Sequence, residues 1–273
     1  MSEPPPSRHL PDADRLSILA ATILLAYALS SIVNIPGREF SLQLPGVYLE
    51  VQFNTRTFVA VLVAGLTATG ADWLLRDHPA LGKKSTIQHV LLPALTALVI
   101  GLPLSQIPIG PLWWVGFGIS GAVLMLVLVA EYIVVDPSDI RQAPATILLT
   151  AISFALFLAL TVILRSASFR LFLVLPSLTL AAGLVSLRTL NLRLHGRWVF
   201  LQAGIIALII AQLAAALHYW PLSPVTYGLL LLGPAYALTS LLASLIEMVP
   251  FRQALLEPLI VLILLWGVAL WIR

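Results

Sequence analysis

Residues 112–135 read LWWVGFGISGAVLMLVLVAEYIVV and carry one charged side chain, Glu131, in 24 positions. Coiled as an α-helix such a stretch is about 36 Å long, enough to cross a bilayer's hydrocarbon core of roughly 30 Å. It is apolar on every face, so it has no side to turn toward water. Working outward, runs of the same kind recur at 16–33, 57–75, 86–104, 143–164, 169–187, 198–217, 225–246 and 254–272. The expected fold is therefore all-α: a polytopic transmembrane helical bundle of about nine spans. The last run is the weakest, because Glu257 sits in its first turns.

Composition agrees. The chain has 273 residues, 60% hydrophobic and 10% charged, with a mean hydropathy of +1.01; soluble domains carry roughly 25% charged residues. Too few charges remain to build a water-soluble surface. A formal net charge of +3 scattered over short loops forms no basic stripe, so nucleic acid is not an expected partner. The absence of cysteine excludes disulfides, Cys-ligated zinc, iron–sulfur clusters and thiol nucleophiles.

The polar, proline-rich residues 1–15 read as a disordered cytoplasmic tail, since they cannot bury enough apolar surface to fold alone. Residues 16–273 read as a single transmembrane domain. The first apolar run continues past the small residues Ala26 and Ala28, which favours an uncleaved anchor over a signal peptide. Lysine and arginine set the expected orientation, because basic loops stay cytoplasmic. With the N-terminus inside, the inner loops hold 10 of them and the outer loops 5, which accounts for all 15. The expected topology is N-in and C-out.

Between the first two runs, Phe40, Leu42, Leu44, Val47, Leu49, Val51 and Phe53 alternate with Ser41, Gln43, Tyr48, Glu50 and Gln52 about Pro45-Gly46. Period-2 alternation around such a turn predicts a short β-hairpin over 40–53 on the outer side. Its layout, FSLQLPGVYLEVQFN at 40–54 leading into TRTFVAVLVAG at 55–65, resembles a family of uncharacterised bacterial multi-pass membrane proteins known only as a domain of unknown function. The resemblance implies a multi-pass protein of the bacterial inner (cell) membrane and carries no activity, catalytic motif or cofactor with it.

Chemistry-bearing residues are sparse. Asp72, Glu131, Glu247 and Glu257 all fall near expected inner helix ends, where a carboxylate reaches water by snorkelling. None is expected at mid-depth, which argues against an ion-coupled path. Asp72, His89 and Glu131 are the candidates for an inner-face site, and their convergence would favour a membrane enzyme. Gln212 and Pro234 are the candidates for a mid-membrane site, since a helix interrupted at Gly233-Pro234 beside an amide could line a substrate cavity. Gly118-Ile119-Ser120-Gly121 looks like the serine motif of rhomboid proteases, but the run at 169–187 supplies no histidine as a base. Close helix packing explains those glycines better.

No catalytic, cofactor-binding or metal site is expected. The partners expected are the lipid bilayer and a membrane protein, docking on the hairpin or on the Ala203/Ala207/Ala211/Ala215 face, whose four-residue spacing makes a stripe of small side chains. The leading functional expectation is a non-enzymatic membrane scaffold or assembly partner. A transporter or binder of an apolar small molecule or lipid comes second, and an inner-face enzyme third.

Overall fold

The computed structural model describes residues 11–32, 38–44, 47–53, 55–82, 85–104 and 107–272. It forms two compact units, Met1–Ile140 and Arg141–Arg273.

In the first unit, α1 (Ala13–Ile32) is followed by strands β1 (Arg38–Leu44) and β2 (Val47–Phe53), then α2 (Thr55–Arg76), α3 (Ile87–Leu104) and α4 (Pro111–Val134). Helix α1 begins inside the stretch expected to be a disordered tail. Asp12 causes this, because its Oδ1 accepts the Asp14 N–H at 3.0 Å and satisfies a donor that the first turn leaves open. Arg15 is then held by Asp77 and by the face of Trp73, 4.8 Å from its guanidinium carbon. The first ten residues lie outside the described ones.

The strands pair antiparallel, with Leu42 opposite Leu49 and Phe40 opposite Val51, while Ser41 faces Glu50 and Gln43 faces Tyr48. Opposed residues share a side of a two-stranded ladder, so this register gathers the apolar positions on one face. The hairpin's connection, Pro45-Gly46, lies outside the described residues.

The helices of this unit close on a core that includes Leu19, Ile23, Tyr27, Val63, Leu74, Leu75, Leu124 and Leu128. Glycine permits the tightest approach: a Cβ at Gly101 of α3 would stand 2.6 Å from Cε1 of Tyr27. Without it, the Tyr27 ring of α1 lies against α3 and its hydroxyl donates to the Ala97 carbonyl. Gly121 of the serine-like motif likewise faces Leu24, as expected of a packing residue, whereas a Cβ at Gly118 would meet nothing within 4 Å, so that glycine makes no close helix contact.

The second unit holds α5 (Gln142–Ser166), α6 (Leu171–Arg193), α7 (Phe200–His218), α8 (Pro224–Ile246) and α9 (Phe251–Trp271). Helix α8 is its hub, packing on each of the other four. Helix α9 is continuous over 21 residues despite Glu257. The Tyr236 hydroxyl of α8 donates to Oε1 of the exposed Glu257 at 2.6 Å, so the carboxylate is hydrogen-bonded to the neighbouring helix.

Eight helices among the described residues, α2 to α9, are long and apolar enough to cross a membrane. Large apolar side chains stand exposed along them, among them Phe58, Ile119, Ile147, Leu201, Ile260 and Leu264. A water-soluble surface does not tolerate apolar area on that scale, whereas lipid requires it.

Candidate functional site

Helices α3 and α4 are packed neighbours joined by a short connection, so the start of α3 and the end of α4 meet at one end of the first unit. His89 stands in the first turn of α3 and Glu131 in the last turn of α4. His89 Nδ1 lies 2.9 Å from Glu131 Oε2, and His89 Nε2 lies 3.0 Å from Gln88 Nε2. Their exposures are 4% and 1%, so Glu131 does not snorkel to water as a carboxylate near a helix end could. Burial of such a group is tolerable because each polar atom removed from water finds a partner inside.

Asp72, the third candidate, is not part of this pair. It closes α2, where Arg76 Nε donates to its Oδ2 at 2.8 Å and the Thr86 hydroxyl donates to its Oδ1. Asp72 thereby ties the end of α2 to the residue just ahead of α3, three positions before His89. The convergence that would favour an enzyme does not form. Among the described residues no three His, Asp or Glu side chains are grouped to hold a metal ion.

Other polar groups join the buried set at this end. His78, Asp136 and Asp139 are all buried. His78 Nδ1 accepts the Ala80 N–H at 3.1 Å, and its ring meets Tyr132 edge-on at 4.5 Å. Asp136 Oδ1 accepts the backbone N–H and the hydroxyl of Ser138, at 2.9 and 2.7 Å. Asp136-Pro137-Ser138-Asp139 has the composition of a solvated turn. The turn is there, but it folds inward, and no local pattern distinguishes an inward turn from an outward one.

The mid-membrane candidates fare differently. Gln212 is exposed on α7, while Pro234 is half-buried on α8, and neither lines either cavity described below. Helix α8 runs unbroken through Pro234. Proline has no N–H, so it leaves the carbonyl four residues back unpartnered; that carbonyl, Leu230 O, accepts the indole N–H of Trp266 at 3.3 Å. Gly233 makes the room, since a Cβ there would lie 3.2 Å from the Trp266 ring. The feature that could have lined a substrate path is a joint between α8 and α9.

The alanine stripe is likewise spent inside the chain. Ala203, Ala207 and Ala211 are buried, α7 packs most closely on α6, and a Cβ at Gly183 of α6 would touch Ala207 Cβ at 3.5 Å. Small residues let these two helices approach, so three of the four stripe residues are used within the chain, while Ala215 is half-buried. Arg188, counted among the loop cations, is 2% exposed within α6 and donates to Asn191 Oδ1 at 3.0 Å. Arg193 reaches from α6 to α8, donating to Ser240, Ser244 and both oxygens of Glu247 at 2.9–3.2 Å.

The second unit holds, among its cavities, two that bear on function. One, of about 410 Å³, lies where α5 and α7 end and α6 and α8 begin, and its lining includes Arg165, Ser168, Phe169, His218 and Leu222. The other, of about 540 Å³, is a wide apolar groove on α6 lined by Leu175, Pro176, Thr179, Leu180, Gly183 and Leu184. The first has no signature in the sequence, because Arg165 and His218 lie 53 positions apart and only folding brings them together.

Long apolar helices, lipid-suited surfaces and polar groups turned inward define the class: a helical, multi-pass integral membrane protein. The chain belongs to the family described as Protein of unknown function (DUF5656), whose model matches residues 35–272. The resemblance to a family of unknown function is thus borne out over most of the chain. Comparison with curated proteins and with solved structures finds no match.

Proposed function

We propose that the protein is a non-enzymatic membrane scaffold, inserted as nine spans with the N-terminus inside and the C-terminus outside. The observation that carries this reading is how the polar groups between helices are used. The buried pairs His89–Glu131, Tyr27–Ala97 and Ser186–Thr239 join α3 to α4, α1 to α3 and α6 to α8, and the more exposed pairs Arg193–Glu247 and Tyr236–Glu257 join α6 to α8 and α8 to α9. In hydrocarbon such bonds hold helices together, because lipid offers a polar group no alternative partner. These pairs are spent on helix contacts rather than gathered around a reaction centre.

A multi-pass location in a bacterial inner membrane belongs to the same reading, with the β1–β2 pair on the outer side as the docking surface for a membrane-protein partner. Replacing residues 40–53 by a flexible polar linker tests it. Insertion and helix content are expected to survive, because the flanking spans enter the membrane on their own. Recovery of the partner in mild detergent is expected to be lost. Unchanged recovery would leave the hairpin a cap over helix ends and remove the docking surface.

The apolar groove on α6 favours a second reading, a binder of a lipid or apolar small molecule. Pro176 and Gly183 lack bulky side chains, and the groove they help to shape suits an acyl chain rather than a polar solute.

A further inference from the structure

We propose that the cavity between the ends of α5 and α7 and the beginnings of α6 and α8 is a phosphate-binding site at the membrane surface, taking the phosphate ester of an anionic lipid. This goes beyond the scaffold reading and does not rest on it.

Arg165 is the anchor. Its Nη1 donates to the His218 carbonyl at 2.7 Å and its Nη2 to the Trp220 carbonyl at 2.8 Å, which fixes the guanidinium against the end of α7. The Tyr227 ring supports it from 5.2 Å. A guanidinium offers about five N–H donors; two are used here, and no carboxylate among the described residues lies within ion-pair distance. A half-buried, geometrically fixed cation with donors to spare calls for an anion, and planar forked donors suit phosphate oxygens.

The rest of the lining agrees. It contains no aspartate or glutamate. His218 also lines the cavity, and its buried Nδ1 has no hydrogen-bond partner among the described residues. Phe169 and Val174 bring the start of α6 to the lining, and its N-cap residue, Arg170, makes no side-chain capping bond. The volume of about 410 Å³ is within the range of small-molecule sites, roughly 300–1,000 Å³. Exposed Tyr219, Trp220 and Phe169 stand around this end, and aromatic rings of that kind sit at headgroup depth.

The test uses the full-length protein in lipid nanodiscs or mild detergent, titrated separately with phosphatidylglycerol, with diacylglycerol of the same chains, and with inorganic phosphate, and read by native mass spectrometry. Arg165→Gln removes the anchor but also a cap of α7. Ser168→Asp is therefore the second variant: Ser168 is exposed at the rim with φ of 52°, a conformation that aspartate tolerates. Wild type is expected to bind phosphatidylglycerol over diacylglycerol, and both variants to lose at least about tenfold in that affinity, the weight of one charge-assisted hydrogen bond. If inorganic phosphate alone binds and shows the same loss, the phosphate site stands and its ligand comes from solution. Equal binding of phosphatidylglycerol and diacylglycerol, or phosphatidylglycerol binding untouched by Ser168→Asp, overturns the proposal. Partner recovery plays no part in this readout, so the scaffold reading can fail without it.

Discussion

At the scale of single residues, the chemistry of the first unit turns on His89 and Glu131. Both are removed from water and hydrogen-bonded to each other at 2.9 Å. Leaving one member of such a pair without the other typically costs about 3–5 kcal/mol, whereas exchanging both for apolar side chains of similar size is often nearly neutral. Glu131→Leu alone is therefore expected to destabilise the protein by roughly 3 kcal/mol or more. His89→Leu combined with Glu131→Leu should recover much of that loss. Thermal or SDS-induced unfolding of the purified protein in detergent measures both. Equal losses in the single and double variants would show that the two side chains do not act as a pair. A simpler steric case is Gly101→Ala, whose new methyl would meet the Tyr27 ring at 2.6 Å.

At the scale of elements, carbonyls left open at helix ends and ahead of an internal proline are completed by neighbouring helices. Arg165 of α5 caps the carbonyls at the end of α7, and Trp113 of α4 donates at 3.2 Å to Leu104 O, the last carbonyl of α3. Trp266 of α9 does the same for Leu230 O, the carbonyl that Pro234 leaves without a helical donor in the continuous α8. Trp266→Phe removes the N–H together with the five-membered ring, so its cost combines lost packing with about 1 kcal/mol for the hydrogen bond. In a Pro234→Ala background the Leu230 carbonyl regains its own helical partner. The same Trp266→Phe change should then cost about 1 kcal/mol less, with only the packing loss remaining. A double-mutant cycle by chemical unfolding in micelles reads the coupling, and additive effects would mean that the indole is held by packing alone.

For the whole molecule, the spans in the sequence and the helices in the structure agree closely, whereas the side of the membrane on which each loop lies rests on the 10 to 5 distribution of basic residues. A reporter active only outside the cytoplasm, fused after Arg273, is expected to be active. Activity of a cytoplasmic reporter at that position would reverse the C-out assignment. The spans were legible because a bilayer asks one thing of a segment, enough consecutive apolar residues, and asks it locally. Alternation at 40–53 was legible for a similar reason, since a two-residue period can be read without knowing the fold.

Which polar groups would meet could not be read in that way. Asp72, His89 and Glu131 looked equivalent in sequence, each a titratable group near a helix end. Packing of α3 on α4 buried two of them as a pair, while Thr86 and Arg76 claimed the third. The Ala203–Ala211 stripe announced close packing but not its partner, which turned out to be α6 of the same chain. Arg165 and His218, 53 positions apart, carry no local pattern that links them, and only the meeting of the ends of α5 and α7 brings them around one cavity. The sequence by itself determined that this chain enters a membrane and where its helices run, because hydrophobic length is a property of each segment alone. The tertiary structure decided which side chains are buried, bonded or left facing a cavity, because those properties belong to pairs of segments distant in the chain.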